Sequence, residues 1–278
     1  MTFSIVGRDD TGTTWGIAVA SKFLAVGSAV PAAEAGTGAV ATQAMANLRY
    51  RPDGLQQLRE GTSAAAVVAA LTGADADRDH RQVGVVDREG SSASFTGDAC
   101  ISWAGHRTGP GYAIQGNCLV GPDVVEAAEQ SWQGSVELAF PRRLLMALAA
   151  GDEAGGDKRG RQSAALLVVT AGGGYGGGSD VAVDLRVDDH PAPVPELARL
   201  LTLHGLYFGK PDPATLLPLV GALRDEVAGH LRRLGHEPSD NFDGAFKTWV
   251  GTENYEERHV PGSIDPVLLD RLRDQASP

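Results

Sequence analysis

The feature that most constrains this chain is an extended hairpin that begins almost at its first residue. Phe3 to Arg8 is an apolar run, Asp9-Asp10-Thr11-Gly12 is turn chemistry, and Trp15 to Ala20 is a second apolar run. Val26 to Val30 and Gly38 to Thr42 continue the β pattern with small side chains, which suits two sheets stacked face to face under helices. Helical periodicity begins after Pro52, and Ser63 is placed to cap a helix over Ala64 to Leu71 that stops at Gly73. Arg81 to Asp87 and Ser91 to Phe95 form a hairpin around Arg88-Glu89-Gly90. Tyr112 to Gln115 is a short strand that enters a loop, Gly116 to Gly121. A helix follows with Pro122 at its first position and Asp123 and Glu126 in its first turn. Another runs from Glu137 to Ala150. Strands over Ala164 to Val169 and Val181 to Val187 close the series. Strands and helices come in blocks rather than strict alternation, so the expected class is α+β layers.

From about residue 204 the character changes. Asp212-Pro213 is expected to precede a long helix with an apolar stripe of Leu216, Val220, Leu223, Val227, Leu231 and Leu234, ended by Gly235. Two shorter helical runs lie around Phe246 to Trp249 and Pro266 to Leu272. The expected division is a main domain over 1–203 and a small helical domain over 204–278. The stripe is expected to pack on the main domain or on a second subunit, and a homo-oligomer is the expected assembly.

Charge and cysteine content narrow the partners. A net charge of −11, with Lys and Arg scattered, lacks the concentrated basic face that nucleic acid requires and offers nothing to anionic lipid. Two cysteines, Cys100 and Cys118, make neither a disulfide framework nor a four-thiolate zinc site. The opening residues have no basic segment followed by an apolar core, and no later stretch has the apolar length of a membrane helix. The expected location is the cytoplasm.

Thr2 is the first residue with chemistry to offer. Once Met1 is removed, Thr2 carries a hydroxyl and a free α-amine together. An α-amine titrates near ~7.7–8.0, so close to neutrality a useful fraction can accept the hydroxyl proton. One residue then supplies nucleophile and base, provided that it starts a strand at the edge of a cleft. The ordinary alternative is that Thr follows the initiator Met in many proteins without consequence.

Four ordered blocks sharpen this reading. They are Thr2 to Ile5, Gly16 to Lys22, Gln115-Gly116-Asn117 and Gly156 to Ala165. Over about residues 1–200 the chain resembles the domain-of-unknown-function 1028 family, assigned to the N-terminal-nucleophile (Ntn) hydrolase superfamily that includes proteasome β-subunits. The resemblance implies a four-layer αββα sandwich with Thr2 as nucleophile on the first strand. It also implies that Lys22 stabilises the charge on the attacking oxygen, and that Asp157 and Ser163 position the terminal amine. Asn117, expected in a loop before a helix, is the candidate donor to a developing oxyanion. Two positions depart from the proteasome pattern: Glu34 stands near the usual Lys and Ser21 where an Asp is common. Both point away from a proteasome-like peptidase. The implied activity is hydrolysis of an amide, carbamoyl or acylamino bond in a small compound, without cofactor or metal; the alternative is a catalytically silent binding or assembly protein of the same fold.

The tail resembles a small peptidoglycan-binding module through Tyr207-Phe208-Gly209, Gly221-Ala222-Leu223, Trp249 to Asn254 and Ile264-Asp265-Pro266. Peptidoglycan fragments are the ligand this implies, which sits poorly with a chain that shows no export signal. Other constellations are weaker. Cys100 and His106 have nucleophile and base types but no flanking signature. Asp188-Asp189-His190 has metal-ligand types on consecutive residues, which point to opposite faces of an extended chain. Gly172 to Gly178 lacks the Lys-Ser/Thr of a phosphate-binding loop and reads as a turn.

Overall fold

A computed structural model describes residues 2–277 and divides them into two compact units, 2–201 and 202–277. In the first unit the strands are β1 (Thr2–Arg8), β2 (Thr14–Ser21), β3 (Pro31–Glu34), β4 (Gly38–Ala44), β5 (Arg81–Asp87), β6 (Ser92–Thr96), β7 (Trp103–Gly109), β8 (Tyr112–Leu119), β9 (Ser163–Thr170) and β10 (Val181–Val187). They form a six-stranded sheet in the order β10-β9-β2-β1-β8-β7 and a four-stranded sheet in the order β3-β4-β5-β6, antiparallel throughout. Helices α1 (Tyr50–Arg59) and α2 (Ala64–Gly73) cover the smaller sheet, and α3 (Asp123–Gln133) and α4 (Phe140–Glu153) cover the larger. The result is a four-layer αββα sandwich of the α+β class.

Three apolar cores separate the four layers. Phe3, Ile5, Ile114 and Leu166 meet Trp132, Leu144 and Leu148 beneath α3 and α4. Val40, Val83 and Val85 meet Leu58, Val67 and Leu71 beneath α1 and α2. Between the sheets lie Val6, Ile17, Val19, Ala39, Ala41, Val86, Ala113 and Ala165, whose small size lets the sheets approach closely. Glycine lets α3 and α4 close on the larger sheet: Gly7 and Gly16 are cross-strand partners, and a Cβ there would sit 2.8 Å from Trp132 Cη2 or 2.7 Å from Leu144 Cδ1.

The β1–β2 turn follows from Asp9, whose carboxylate accepts the Thr13 and Thr14 N–H groups, each at 2.9 Å, while Gly12 takes φ +75°. Ser63 caps α2 as the sequence implies. Several boundaries differ from the sequence reading. Helix α1 starts at Tyr50 because Pro52 is tolerated in a first turn, where its missing N–H has no intrahelical partner to lose. Val26–Ser28 is a 3₁₀ turn, and the strand of this region is β3, after it. Helix α4 begins three residues later than expected, with Pro141 in its first turn. Strand β7 was not anticipated, because Trp103-Ala104-Gly105-His106 shows no apolar alternation.

Helix α5 (Pro193–Phe208) was also unanticipated; Pro191, Pro193 and Pro195 suggest a loop, yet prolines are at home in a helix's first turn. In the second unit, β11 (Leu217–Pro218) pairs with β12 (Ser263–Ile264), and α6 (Gly221–Arg233), α7 (Phe242–Thr252) and α8 (Pro266–Gln275) surround a core of Val227, Leu231, Phe246, Trp249, Tyr255, Leu268 and Leu272. The long helix expected from Asp212 is therefore corrected. Leu216 and Val220 precede α6, and Val220 is extended at φ −130° and 68% exposed. The physical cause is local: Pro218 lacks a helical donor, Leu217–Pro218 is held by β12, and Gly221 turns the chain at φ +53°. Val227 and Leu231 are buried, but in the unit's own core, where the sequence reading expects the stripe to face the main domain or a second subunit.

Candidate active site

The strand register gathers the candidate residues at one end of the sandwich. Thr2 lies opposite Ser21 on one side and Asn117 on the other, and Ser21 lies opposite Ser163. Ser163, Ser21, Thr2 and Asn117 thus form a row across β9, β2, β1 and β8, facing the second sheet. All four are buried, Thr2 at 4% and Asn117 at 1% exposure. The Thr2 hydroxyl is 3.0 Å from the Ser21 hydroxyl.

Asn117 lies within β8 rather than in a loop, because the strand continues to Leu119. Its Nδ2 donates to the Thr2 carbonyl at 3.3 Å and to Gln82 Oε1 at 2.9 Å. Ser163 donates to the Phe23 carbonyl at 2.5 Å and accepts from the Val26 N–H at 3.0 Å, so it pins the chain leaving β2. Asp157 is buried beside the end of β8, where it forms an isolated bridge with Leu119. Its carboxylate accepts the Lys22 backbone N–H at 2.9 Å and pairs with Arg159 at 2.7 Å. The Lys22 side chain is exposed, and its ammonium reaches the Arg161 carbonyl at 3.4 Å. The register thus brings Thr2, Asn117 and Ser163 into one row, sets Asp157 against its rim, and leaves the Lys22 ammonium outside it.

Three residues given no role in the sequence reading, although Gln115 lies in one of its blocks, join the row. Gln43 on β4, Gln82 on β5 and Gln115 on β8 are buried between the sheets with Ser4. Ser4 donates to Gln43 Oε1 and accepts from Gln115 Nε2, both at 2.7 Å. Gln43 Nε2 donates to the Thr2 carbonyl at 3.2 Å and to Gln82 Oε1 at 2.8 Å. Gln82 Nε2 shares its two hydrogens among three acceptors, Thr96 Oγ1 and the Gly116 carbonyl, both at 2.8 Å, and the Gly105 carbonyl at 3.2 Å. Gly84 makes room: a Cβ there would lie 2.0 Å from Gln115 Oε1. The signal available was alternation, since each glutamine occupies the same strand face as its apolar inter-sheet neighbours.

Cys100 and His106 are not brought together as a couple. The thiol donates to the Arg81 carbonyl at 3.5 Å, and burial pushes its pKa up, away from the thiolate that attacks. The His106 ring meets Thr96 Oγ1 at 2.9 Å. Asp188, Asp189 and His190 make separate bonds, through the Asp188 carbonyl to Ala25 N–H, Asp189 to Gln162, and His190 to the Ala192 N–H.

Residues 2–197 match the model of a family of unknown function, DUF1028. The chain belongs to the DUF1028 family. A crystal structure of a DUF1028 protein from Silicibacter pomeroyi is similar at 30% identity and a TM-score of 0.66, covering 81% of this chain and 92% of that one. No curated protein matches. Beyond the DUF1028 region, residues 207–272 match a family described as "Putative peptidoglycan binding domain". Among the described residues, no helix is long and apolar enough to cross a membrane.

Proposed function

We propose that this DUF1028 protein is an amidohydrolase of the N-terminal-nucleophile type, with Thr2 as nucleophile once Met1 has been removed. The observation that carries the reading is the buried polar row around Thr2. Burying unpaired amides and hydroxyls between sheets is costly, and satisfying them takes a dedicated network. That network converges on the first strand's first residue, whose carbonyl it grips from two sides.

In the proposed reaction the Thr2 hydroxyl attacks an amide carbonyl and its proton passes to the Thr2 α-amine. The resulting ammonium protonates the departing amine as the C–N bond breaks, leaving an ester on Thr2. Water, deprotonated by the same amine, then hydrolyses that ester and restores the hydroxyl. Ser21 orients the hydroxyl. Asp157 and Ser163 fix the turn that follows β2 and so the wall beside Thr2. The exposed Lys22 ammonium would act only on a bound substrate that reaches it.

The match over residues 207–272 favours amide-rich peptidoglycan fragments among the substrates to try, alongside small cytoplasmic amides and ureido compounds. The test is turnover of such a panel by wild type and Thr2→Ala. Loss of roughly a thousandfold or more in Thr2→Ala, with Thr2→Ser partly active, is the expected result. Comparable turnover in wild type and Thr2→Ala would overturn the reading. Ligand binding without turnover in either would favour a silent binding protein.

A further inference from the structure

The amide network at the site has a fixed direction. Gly105 and Gly116 present carbonyl oxygens to Gln82, so the nitrogen of Gln82 must face them. Its oxygen then turns toward Gln43 and Asn117, and both must meet it with their nitrogens. The second hydrogen of Asn117 Nδ2 goes to the Thr2 carbonyl. Both Asn117 donors are therefore engaged, and what remains is an acceptor, Oδ1. Among the described residues two buried side-chain atoms lack a partner, Arg8 Nε and Asn117 Oδ1, and only the second is an acceptor.

A buried acceptor without a donor is unfavourable, and bulk water does not reach this one. Cleavage of the Met1–Thr2 bond creates new donors on the residue whose carbonyl Asn117 already holds. The single N–H of the Thr2 amide becomes an ammonium with three, on the residue directly opposite Asn117 in the sheet. We infer that Asn117 Oδ1 accepts a hydrogen from the Thr2 α-ammonium, which makes Asn117 a positioning residue for the amine and not a donor to the oxyanion. The inference rests on the proposal that Thr2 becomes the terminal residue. Removal of Met1 then satisfies the orphaned acceptor and holds the base beside the hydroxyl it serves.

A hydrogen bond to the charged form raises the pKa of an amine, whereas burial lowers it. The titratable and charged groups at this end are Lys22 after β2, Asp157, Lys158, Arg159 and Arg161 before β9, Asp152 paired with Arg161, and Arg81 opening β5 with its partner Asp75. Cys100 precedes β7 and His106 lies on it. None of them is altered in the test. Protein labelled with 15N-threonine is titrated by NMR, following the Thr2 α-nitrogen, a readout that needs no substrate. Asn117→Ala is expected to lower the midpoint by about one pH unit, and Asn117→Ser to lower it in the same direction should the alanine variant not fold. The alkaline shift of the rising limb in a pH–rate profile should be lost to match. An unchanged midpoint in the variants that fold, or a wild-type protein that keeps Met1, overturns the inference. Turnover that survives Thr2→Ala defeats the hydrolase reading alone, and an unchanged midpoint beside an inactive Thr2→Ala defeats the Asn117 role alone.

Discussion

The layer between the two sheets has an apolar end and a polar end, built from the same strands. Moving along β1, the residues facing the other sheet are Thr2, Ser4 and then Val6; along β2 they are Ser21, Val19 and Ile17. On β8 they run Asn117, Gln115, Ala113, and on β4 Gln43, Ala41, Ala39. The switch from polar to apolar comes after one inward-facing residue on β2 and β4 and after two on β1 and β8. Sheet packing alone explains the apolar end. The polar end needs a different cause, because buried amides stabilise a fold less than aliphatic side chains of similar volume unless every atom is paired. Concentration of that cost around Thr2 is what supports the proposal that this end is the site.

The sharpest way to break the comparison is to make the polar end resemble the apolar one. Gln82→Leu removes the amide that joins Thr96, Gly105, Gly116, Gln43 and Asn117, and leaves their polar atoms buried. The expected loss is about 3 kcal/mol in chemical denaturation, together with loss of turnover. Ile17→Val at the apolar end should cost about 1 kcal/mol and leave turnover intact. Equal effects of the two substitutions on turnover would remove the distinction between the ends.

A smaller effect tests the outer support of the polar end. Arg81, the residue before Gln82, is held by Asp75 at 3.0 Å, and Asp75 also accepts from Asn47 at 2.8 Å and Tyr50 at 2.9 Å. Burial alone would raise the Asp75 carboxyl, but Asn47, Arg81, the Asp77 N–H and Tyr50 outweigh it and hold it well below the usual carboxylate range. A carboxyl depressed in the folded state contributes stability above its unfolded pKa of ~3.9 and loses it as pH falls toward the folded value. Asp75→Asn should therefore be less stable than wild type by about 2 kcal/mol near neutral pH, with the gap shrinking below about pH 4. A gap that stays constant through acid would show that the charge of Asp75 is not what holds Arg81.

The contrast between the ends also explains what the sequence could and could not reveal. The β1–β2 hairpin and the stacked sheets were legible, since Phe3 and Ile5 alternate with smaller residues and a turn follows at once. Thr2, Asn117 and Ser163 were legible as candidates, but their shared row depends on register, which only the folded sheet sets. Gln43, Gln82 and Gln115 share strand parity with apolar inter-sheet neighbours, but that alternation alone does not tell that they meet in one buried network. The same ambiguity hid the true extent of β8, where Gly116 and Asn117 read as a loop although both pair with β1. In the second unit, Val220 kept a helical spacing from Val227 and Leu231, but Pro218 and Gly221 overrode that pattern locally.

The central claim is that Thr2 ends the mature chain with a free amine, and the intact mass of the protein as produced in cells tests it most directly. The expected mass is that of the full sequence less one methionine residue, with Thr2 unmodified and recovered first in terminal sequencing. A mass that retains Met1, or an acetylated Thr2, would contradict the account, because the nitrogen that must accept the hydroxyl proton would then be an amide.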